Sequence, residues 1–109
     1  MDMPKDLVAA SATPLVLTIL ARGESYGYAI IQQVRELSAG RLEWTDGMLY
    51  PILHRLEDQG LIRSIWRESP EGRKRKYYRL REEGRRALRE QREQWNAVHQ
   101  VLRAAWGRG

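Results

Sequence analysis

The chain has 109 residues, enough for one modest domain but too few for a catalytic domain with a second lobe. Its 19 basic and 14 acidic residues give a formal charge of +5, which either favours a phosphate-rich partner or merely keeps a small protein soluble. The absence of cysteine excludes disulfides, thiolate metal sites and cysteine nucleophiles. Neither a signal peptide nor an apolar run long enough to span a membrane is recognisable, so we expect a cytoplasmic protein without a membrane partner.

Two helices are predicted before residue 40. The first runs from about Pro14 to Ala21, with Thr13 as its cap and Pro14 at its first position. The preceding residues 6–12 form either a further helical turn, which makes Pro14 a kink, or an arm. Ser25 is predicted to cap a second helix over residues 26–37, whose apolar residues lie along one face.

A third helix follows residue 44. Thr45 is placed to cap it, Gly60 ends it, and its apolar residues follow the i, i+3, i+4, i+7 pattern of a helix with one buried face: Leu49, Ile52, Leu53 and Leu56. The second and third helices then form a helix-turn-helix, which can place its last helix in the major groove of DNA.

A β-hairpin and a long helix complete the chain. Strand patterns cover residues 61–69 and 75–81 around the turn residues 70–72, and Trp44 and Trp66 are expected to pack this hairpin against the helices. From Glu82 to Trp106 a helix carries an apolar stripe suited to a partner helix: Leu88, Trp95, Val98, Leu102 and Trp106. The sequence therefore predicts a mainly α fold with a small β-hairpin, a winged helix-turn-helix over 1–81 and a dimerisation helix over 82–109.

The outward side of the third helix carries the candidate DNA contacts. Gly47 allows a close approach to a sugar-phosphate backbone, Tyr50 offers a hydroxyl, and His54 and Arg55 can donate to phosphates or purines. Pro51 breaks the rule against an interior helical proline, and such violations concentrate at functional sites. To this set we add residues at the starts of the second and third helices: Tyr26, Gly27 and Thr45.

The hairpin concentrates the positive charge of the chain. Residues 61–81 hold eight basic and two acidic side chains, a net +6 that exceeds the +5 of the whole chain. A charged turn is often only a solvated loop, but beside a helix-turn-helix it is typical of a wing on phosphates or a minor groove. The wing residues predicted to contact DNA are Arg67, Arg73, Lys74, Arg75 and Lys76.

These residues also carry a family resemblance. The string GMLYPILHRLE at 47–57, then Gly60-Leu61-Ile62, Trp66, Gly72-Arg73 and RKYYRL at 75–80, closely resembles the PadR-like transcriptional regulators. The resemblance implies a homodimeric winged-helix repressor on a near-palindromic operator, with the C-terminal helix packed on the partner's N- and C-terminal helices. At Arg81 the family often has a capping threonine, and here Glu82 and Glu83 favour the helix start through the macrodipole.

The chain is also similar to a multidrug-sensing member of that family, in which a tryptophan of the C-terminal helix faces its dimer mate and sandwiches flat aromatic drugs. The corresponding effector-binding residues here are Leu7, Ala10, Pro14, Trp95, Val98 and His99, with Leu102 beside them. His99 replaces an acidic residue, so a neutral aromatic or phenolic effector is as compatible as a cation. Alternatively, Trp95 at heptad spacing is simply part of the dimer interface.

Other functions have weaker support. His54 and His99 lie on separate elements, which gives no metal-ligand spacing, and neither a nucleophile elbow nor a glycine-rich phosphate loop is present. We therefore expect neither an enzyme nor a cofactor. The remaining alternative is a winged-helix module for protein or RNA contacts, without a small-molecule effector, because a fold does not by itself fix the ligand.

Overall fold

The computed structural model describes residues 3–107 and contains four helices and three strands. In chain order these are α1 (Lys5–Ala21), β1 (Ser25–Tyr26), α2 (Gly27–Leu37), α3 (Asp46–Asp58), β2 (Ile62–Glu68), β3 (Lys74–Leu80) and α4 (Glu82–Trp106). The strands form an antiparallel sheet in the order β1-β3-β2. The predicted fold class, a winged helix-turn-helix with a long C-terminal helix, is confirmed.

Helix α1 is longer than the span from Pro14 to Ala21. It begins at Lys5 and continues through Pro14, so Thr13 is an interior residue and not a cap. Pro14 cannot donate a backbone hydrogen bond to the preceding turn, but the helix on both sides of it is held by burial of Ala12, Val16 and Leu17. Of the two alternatives for residues 6–12, the continuous helix is the one that forms.

Ser25 does not cap α2, which corrects the sequence prediction. It lies in β1, where Ser25 pairs with Tyr78 and Tyr26 with Tyr77, and α2 starts only at Gly27 without a side-chain cap. The physical reason is that pairing with β1 covers part of the otherwise unpaired edge of β3, at Tyr77 and Tyr78. The α1–α2 connection is thereby attached to the wing.

Helix α3 begins and ends as predicted. The Thr45 hydroxyl accepts a hydrogen bond from the backbone N–H of Met48 at 3.3 Å, which satisfies one of the free donors of the first turn. At the other end, Gly60 adopts a φ of +74° and the N–H of Leu61 donates to the carbonyl of Leu56 at 3.0 Å. These two local signals fix the length of α3.

The core lies where α1, α2 and α3 meet the sheet. Leu49, Leu53 and Leu56 are fully buried on one side of α3, as the sequence pattern predicts. Trp44 is also buried, which confirms its packing role, whereas Trp66 is 64% exposed and does not pack against the helices. The predicted packing role of Trp66 is therefore wrong, because most of its side chain stays exposed on the hairpin.

Tyr78 is buried in this core, and its hydroxyl has no hydrogen-bond partner in the structure. Burial, together with the nearby Tyr50 and Glu57, raises the pKa of Tyr78 to about 12. In the unfolded chain a tyrosine ionises near pH 10, so the folded state holds this proton longer. The contribution of Tyr78 to the free energy of unfolding is therefore constant below pH 10 and falls as the pH rises from 10 towards 12.

The Tyr78→Phe variant tests whether the Tyr78 hydroxyl is buried without a partner and has a raised pKa. We expect equal or higher stability at pH 7, because a buried hydroxyl without a partner is destabilising by about 1 kcal/mol. Between pH 10 and 12 we expect the variant to lose less stability than the native chain, by about 1.4 kcal/mol per pH unit at most. Urea unfolding at several pH values measures both effects, and a parallel decline of the two proteins above pH 10 would contradict the assignment.

Helix α4 packs on the base of the hairpin through Gly84 in its first turn. Gly84 is buried, and a Cβ atom built there would lie 2.2 Å from the carbonyl oxygen of Leu61. That carbonyl also accepts a hydrogen bond from the N–H of Arg81 at 3.0 Å.

Within residues 3–107, no helix has the combined length and apolar character that crossing a bilayer requires.

Candidate nucleic-acid interface

A groove of about 550 Å³ separates α3 from the wing formed by β2 and β3. Side chains from the start of α2, from the first half of α3 and from the wing meet there. The lining residues are Tyr26, Gly27, Tyr28, Asp46, Tyr50, Trp66, Lys74, Arg75 and Lys76. Six of these, all but Tyr28, Asp46 and Trp66, belong to the DNA-binding set predicted from the sequence.

Tyr50 owes its position in this groove to Gly27. A Cβ atom on Gly27 would lie only 2.6 Å from the Tyr50 hydroxyl, so the missing side chain makes room for the phenol. Gly27 itself is buried, and Tyr50 remains 38% exposed. Gly27 therefore positions a candidate DNA contact and is not itself accessible as one.

Three further exposed residues of α3 continue the same side of the helix as Tyr50: Gly47, Pro51 and His54. Pro51 and His54 are exposed, and they follow Tyr50 within one helical turn. Gly47 is exposed as well, and a Cβ atom there would meet only the Thr45 hydroxyl at 3.7 Å. Since packing within the chain does not require a glycine at this position, the space over Gly47 is available to an external backbone.

Arg55 lies apart from this groove. Its guanidinium donates a hydrogen bond from Nη2 to the Thr13 hydroxyl of α1 at 2.7 Å. It lines a different hollow of about 460 Å³, between α1 and α3, whose other walls include Lys5, Trp44 and Ile52. Arg55 thus lines a hollow separate from the groove that Tyr50 lines.

The wing places alternate side chains on its two faces. The face that continues from the core carries Trp66, Lys74 and Lys76, since Trp66 pairs with Lys76 across the strands. Sequence reasoning assigned Trp66 to the core and did not single out Tyr28, which is 65% exposed.

The arginines of the wing differ in their surroundings. Arg67 forms an ion pair with Glu24, and the Arg75 guanidinium stacks 3.9 Å above the ring centre of Tyr26. Arg73 is exposed at the tip, where its backbone N–H donates to the Ser69 hydroxyl at 3.2 Å. Gly72 adopts a φ of +81° in that turn, as expected for the predicted turn residues.

Helix α4 presents an exposed apolar stripe. Five large apolar side chains of its second half are between 38% and 68% exposed: Trp95, Val98, Val101, Leu102 and Trp106. Leu88, which the sequence assigned to this stripe, is instead buried within its own chain. The other residues of the predicted effector site are also accessible, since Leu7, Ala10 and His99 are exposed and Pro14 is half-buried.

Known proteins are similar to this chain in sequence and in architecture. A model described as the transcriptional regulator PadR-like family matches residues 16–90. The transcriptional regulator YqjI of Escherichia coli is 34% identical over 90 residues, which cover 83% of this chain and 42% of that protein.

Solved structures of transcriptional regulators are also similar to this chain. A PadR family transcription regulator from Clostridium difficile superposes with a TM-score of 0.76 at 34% identity, over 89% of this chain and 99% of the other. A Streptococcus transcriptional regulator gives a TM-score of 0.83 at 32% identity, over 95% and 100%. These relatives are regulators, which confirms that the chain is not an enzyme. The chain belongs to the PadR-like family of transcriptional regulators.

Proposed function

We propose that this regulator is a homodimeric repressor that binds a near-palindromic DNA operator and is released by a small aromatic or phenolic effector. The observation that carries the DNA-binding part is the groove in which Tyr50 of α3 faces Lys74 and Lys76 of the wing. The proposal also places the protein in the cytoplasm, because its partner is chromosomal DNA.

The proposed docking follows from the two sides of that groove. Helix α3 enters the major groove, which is about 12 Å wide, and presents Gly47, Tyr50 and His54 to base edges and sugars. The wing lies along the adjacent phosphates, where Arg73 and Lys74 form contacts that carry no sequence information. Charge supports this arrangement, since the net +6 of residues 61–81 exceeds that of the whole chain.

Substitutions on α3 test this division. With an operator selected from random duplexes, we expect Tyr50→Ala to relax the sequence preference and to cost about 1–3 kcal/mol of binding energy. The matched control is Arg55→Ala, which should leave the preference unchanged because Arg55 is bonded to Thr13. Gel shifts at several salt concentrations measure both variants. Equal losses in the two, or a native protein indifferent to sequence, would contradict the proposal.

The proposed dimer rests on the stripe of α4. Leu102 and Trp106 are one helical turn apart, and Trp95 and Val98 continue the same side, so the stripe fits a second apolar helix. Large exposed apolar patches of this kind are uncommon on monomers. A two-fold dimer would place two copies of α3 on half-sites about 34 Å apart, which is why the operator is near-palindromic.

The proposed effector site lies between Trp95 and the same residue of the second chain. Its walls on this chain are Leu7, Ala10 and Val98, which offer apolar surface to a flat ring. Aromatic rings stack well against an indole, and His99 adds a polar imidazole at its border. Binding there would bias the relative orientation of the two wings and so release the operator.

Tryptophan fluorescence tests this site. We expect saturable quenching when flat aromatic or phenolic compounds are titrated, and loss of that quenching in Trp95→Leu. Trp66→Phe is the matched control, because Trp66 is exposed on the wing and should not affect the response. If quenching is absent, or survives the loss of Trp95, the stripe serves dimerisation alone and the regulator has no effector at this position.

A further inference from the structure

The outer face of the wing is turned away from the core and carries four arginines. We define it by the side chains that alternate with the core-facing ones: Arg63, Ile65, Arg67, Arg75, Tyr77 and Arg79. Burial supports this division, since Ile62, Tyr78 and Leu80 are buried while Arg63 and Arg79 are exposed. Trp66 and the two lysines lie on the opposite face of the wing, which borders the groove. Arg75 belongs to the outer face and also reaches the border of that groove, where it stacks on Tyr26.

The arginines of the outer face oppose one another across the strands. Arg63 pairs with Arg79 and Arg67 pairs with Arg75, with Ile65 and Tyr77 between the two pairs. Like charges directly opposite in an antiparallel pair destabilise the sheet. Two such pairs on one short hairpin break a rule of local stability, and such violations concentrate at functional sites.

The two pairs are not equally neutralised. Arg67 is bonded to Glu24, and Arg75 lies 3.5 Å from a carboxylate oxygen of Glu71. Within residues 3–107, no carboxylate lies within ion-pair distance of Arg63 or Arg79. Both guanidiniums are exposed, so the like-charged pair at the base of the hairpin is available to an external anion.

A third arginine extends this base towards α4. Arg79 and Arg85 line a hollow of about 320 Å³, together with Arg67 and Glu24. Since Glu24 is already paired with Arg67, the hollow keeps two uncompensated guanidiniums. The positive surface thus spans the outer face from the tip of the wing to the start of the last helix.

From this arrangement we propose that the outer face of the wing binds the phosphates of duplex DNA beyond the half-site that α3 reads. The inference rests on the proposed operator binding and extends it. Arg63 and Arg67 are four residues apart, about 13 Å along the strand, which matches the rise of roughly four phosphates on one DNA strand. A single small anion cannot cover that length.

Continuity favours DNA over an acidic protein. The opposite face and the tip of the same hairpin border the groove proposed to hold the operator, and a stiff duplex that enters this groove continues past it. The phosphates can belong to the flanks of the bound operator or to a second duplex.

The experiment compares a minimal operator with one extended by about 10 bp of random sequence on each side, one helical turn. The test variant is Arg63→Gln with Arg79→Gln, and the matched control is Arg86→Gln with Arg89→Gln on α4, which removes the same charge elsewhere. Affinities are measured by fluorescence anisotropy at several salt concentrations. A second, differently labelled duplex reports bridging in the same samples.

We expect the native protein to bind the extended duplex more tightly, with a slope of log affinity against log salt that is steeper by about 2. The test variant should lose that gain and bind the minimal operator as the native protein does, whereas the control should keep it. Bridging of a second duplex that disappears in the test variant alone would equally support the proposal and identify the second source.

Other outcomes overturn the proposal. Equal native affinities for both duplexes without bridging would mean that the outer face contacts no DNA beyond the half-site. An equal loss in the test and control variants would mean that the arginines act only through total charge. Loss of an acidic protein's binding with unchanged DNA binding would assign the face to that protein. Failure of the proposed operator binding is distinguishable from failure of this inference, because the native protein would then show no preference for the minimal operator at all.

We also expect the test variant to be at least as stable as the native chain, since it removes one like-charged pair.

Discussion

Replacing Leu102 by aspartate is expected to separate the dimer and to abolish operator binding. Leu102 lies in the middle of the exposed stripe of α4, one turn from Trp106. A carboxylate at this position would have to be buried without a partner in the dimer, which costs several kcal/mol in each of the two chains. Because each chain of the proposed dimer would read only one half-site, we expect the affinity for the full operator to fall by more than about 100-fold.

Sedimentation and gel shifts measure the two consequences separately. Gln100→Asp is the matched control, since it adds the same charge to the same helix on the side opposite the stripe. We expect this control to remain a dimer and to bind the operator. A Leu102→Asp protein that sediments as the native one does would show that the interface lies on another surface.

Replacing Gly84 by alanine is expected to destabilise the fold strongly. The new Cβ atom would lie 2.2 Å from the Leu61 carbonyl oxygen and 2.5 Å from Cδ1 of Leu80. The first of these neighbours is backbone, held at the base of the hairpin by its bond from Arg81, and cannot rotate away. Helix α4 must shift as a whole, and we expect a loss of about 3 kcal/mol, the upper end for overpacked sites.

Urea unfolding measures this loss, and Gly47→Ala is its control. A Cβ atom on Gly47 has ordinary space, so alanine there should raise the stability by up to about 1 kcal/mol through helix propensity. The same control should weaken DNA binding if a phosphate backbone approaches Gly47 closely. Similar unfolding midpoints for the two variants would contradict the packing assigned to Gly84.

Local signals in the sequence predicted most of the fold. The cap at Thr45, the stop at Gly60 and the turn at Gly72 depend on neighbouring residues only, and each appears in the structure. The continuation of α1 through Pro14 was left open, because a proline can begin a helix or interrupt one. Burial of the residues on both sides of Pro14 decides between these alternatives, and burial is a property of the whole fold.

The candidate site was predicted less completely. Tyr50, Lys74 and Lys76 do meet in one groove, because helical and strand periodicity place them on accessible faces. The position of Arg55 depends on Thr13, which is 42 residues away, and no local pattern contains that contact. The exposure of Trp66 depends on where the helices stop covering β2, which is equally non-local.

By itself, the sequence determined the element types, the family and the concentration of positive charge in residues 61–81. These follow from residue identity and periodicity along the chain, which need no knowledge of distant partners. The tertiary structure alone decided that Ser25 belongs to the sheet, that Leu88 is buried within its own chain, and that the arginines of the wing oppose one another. Each of these depends on strand register or on packing between remote segments, and so emerges only when the chain has folded.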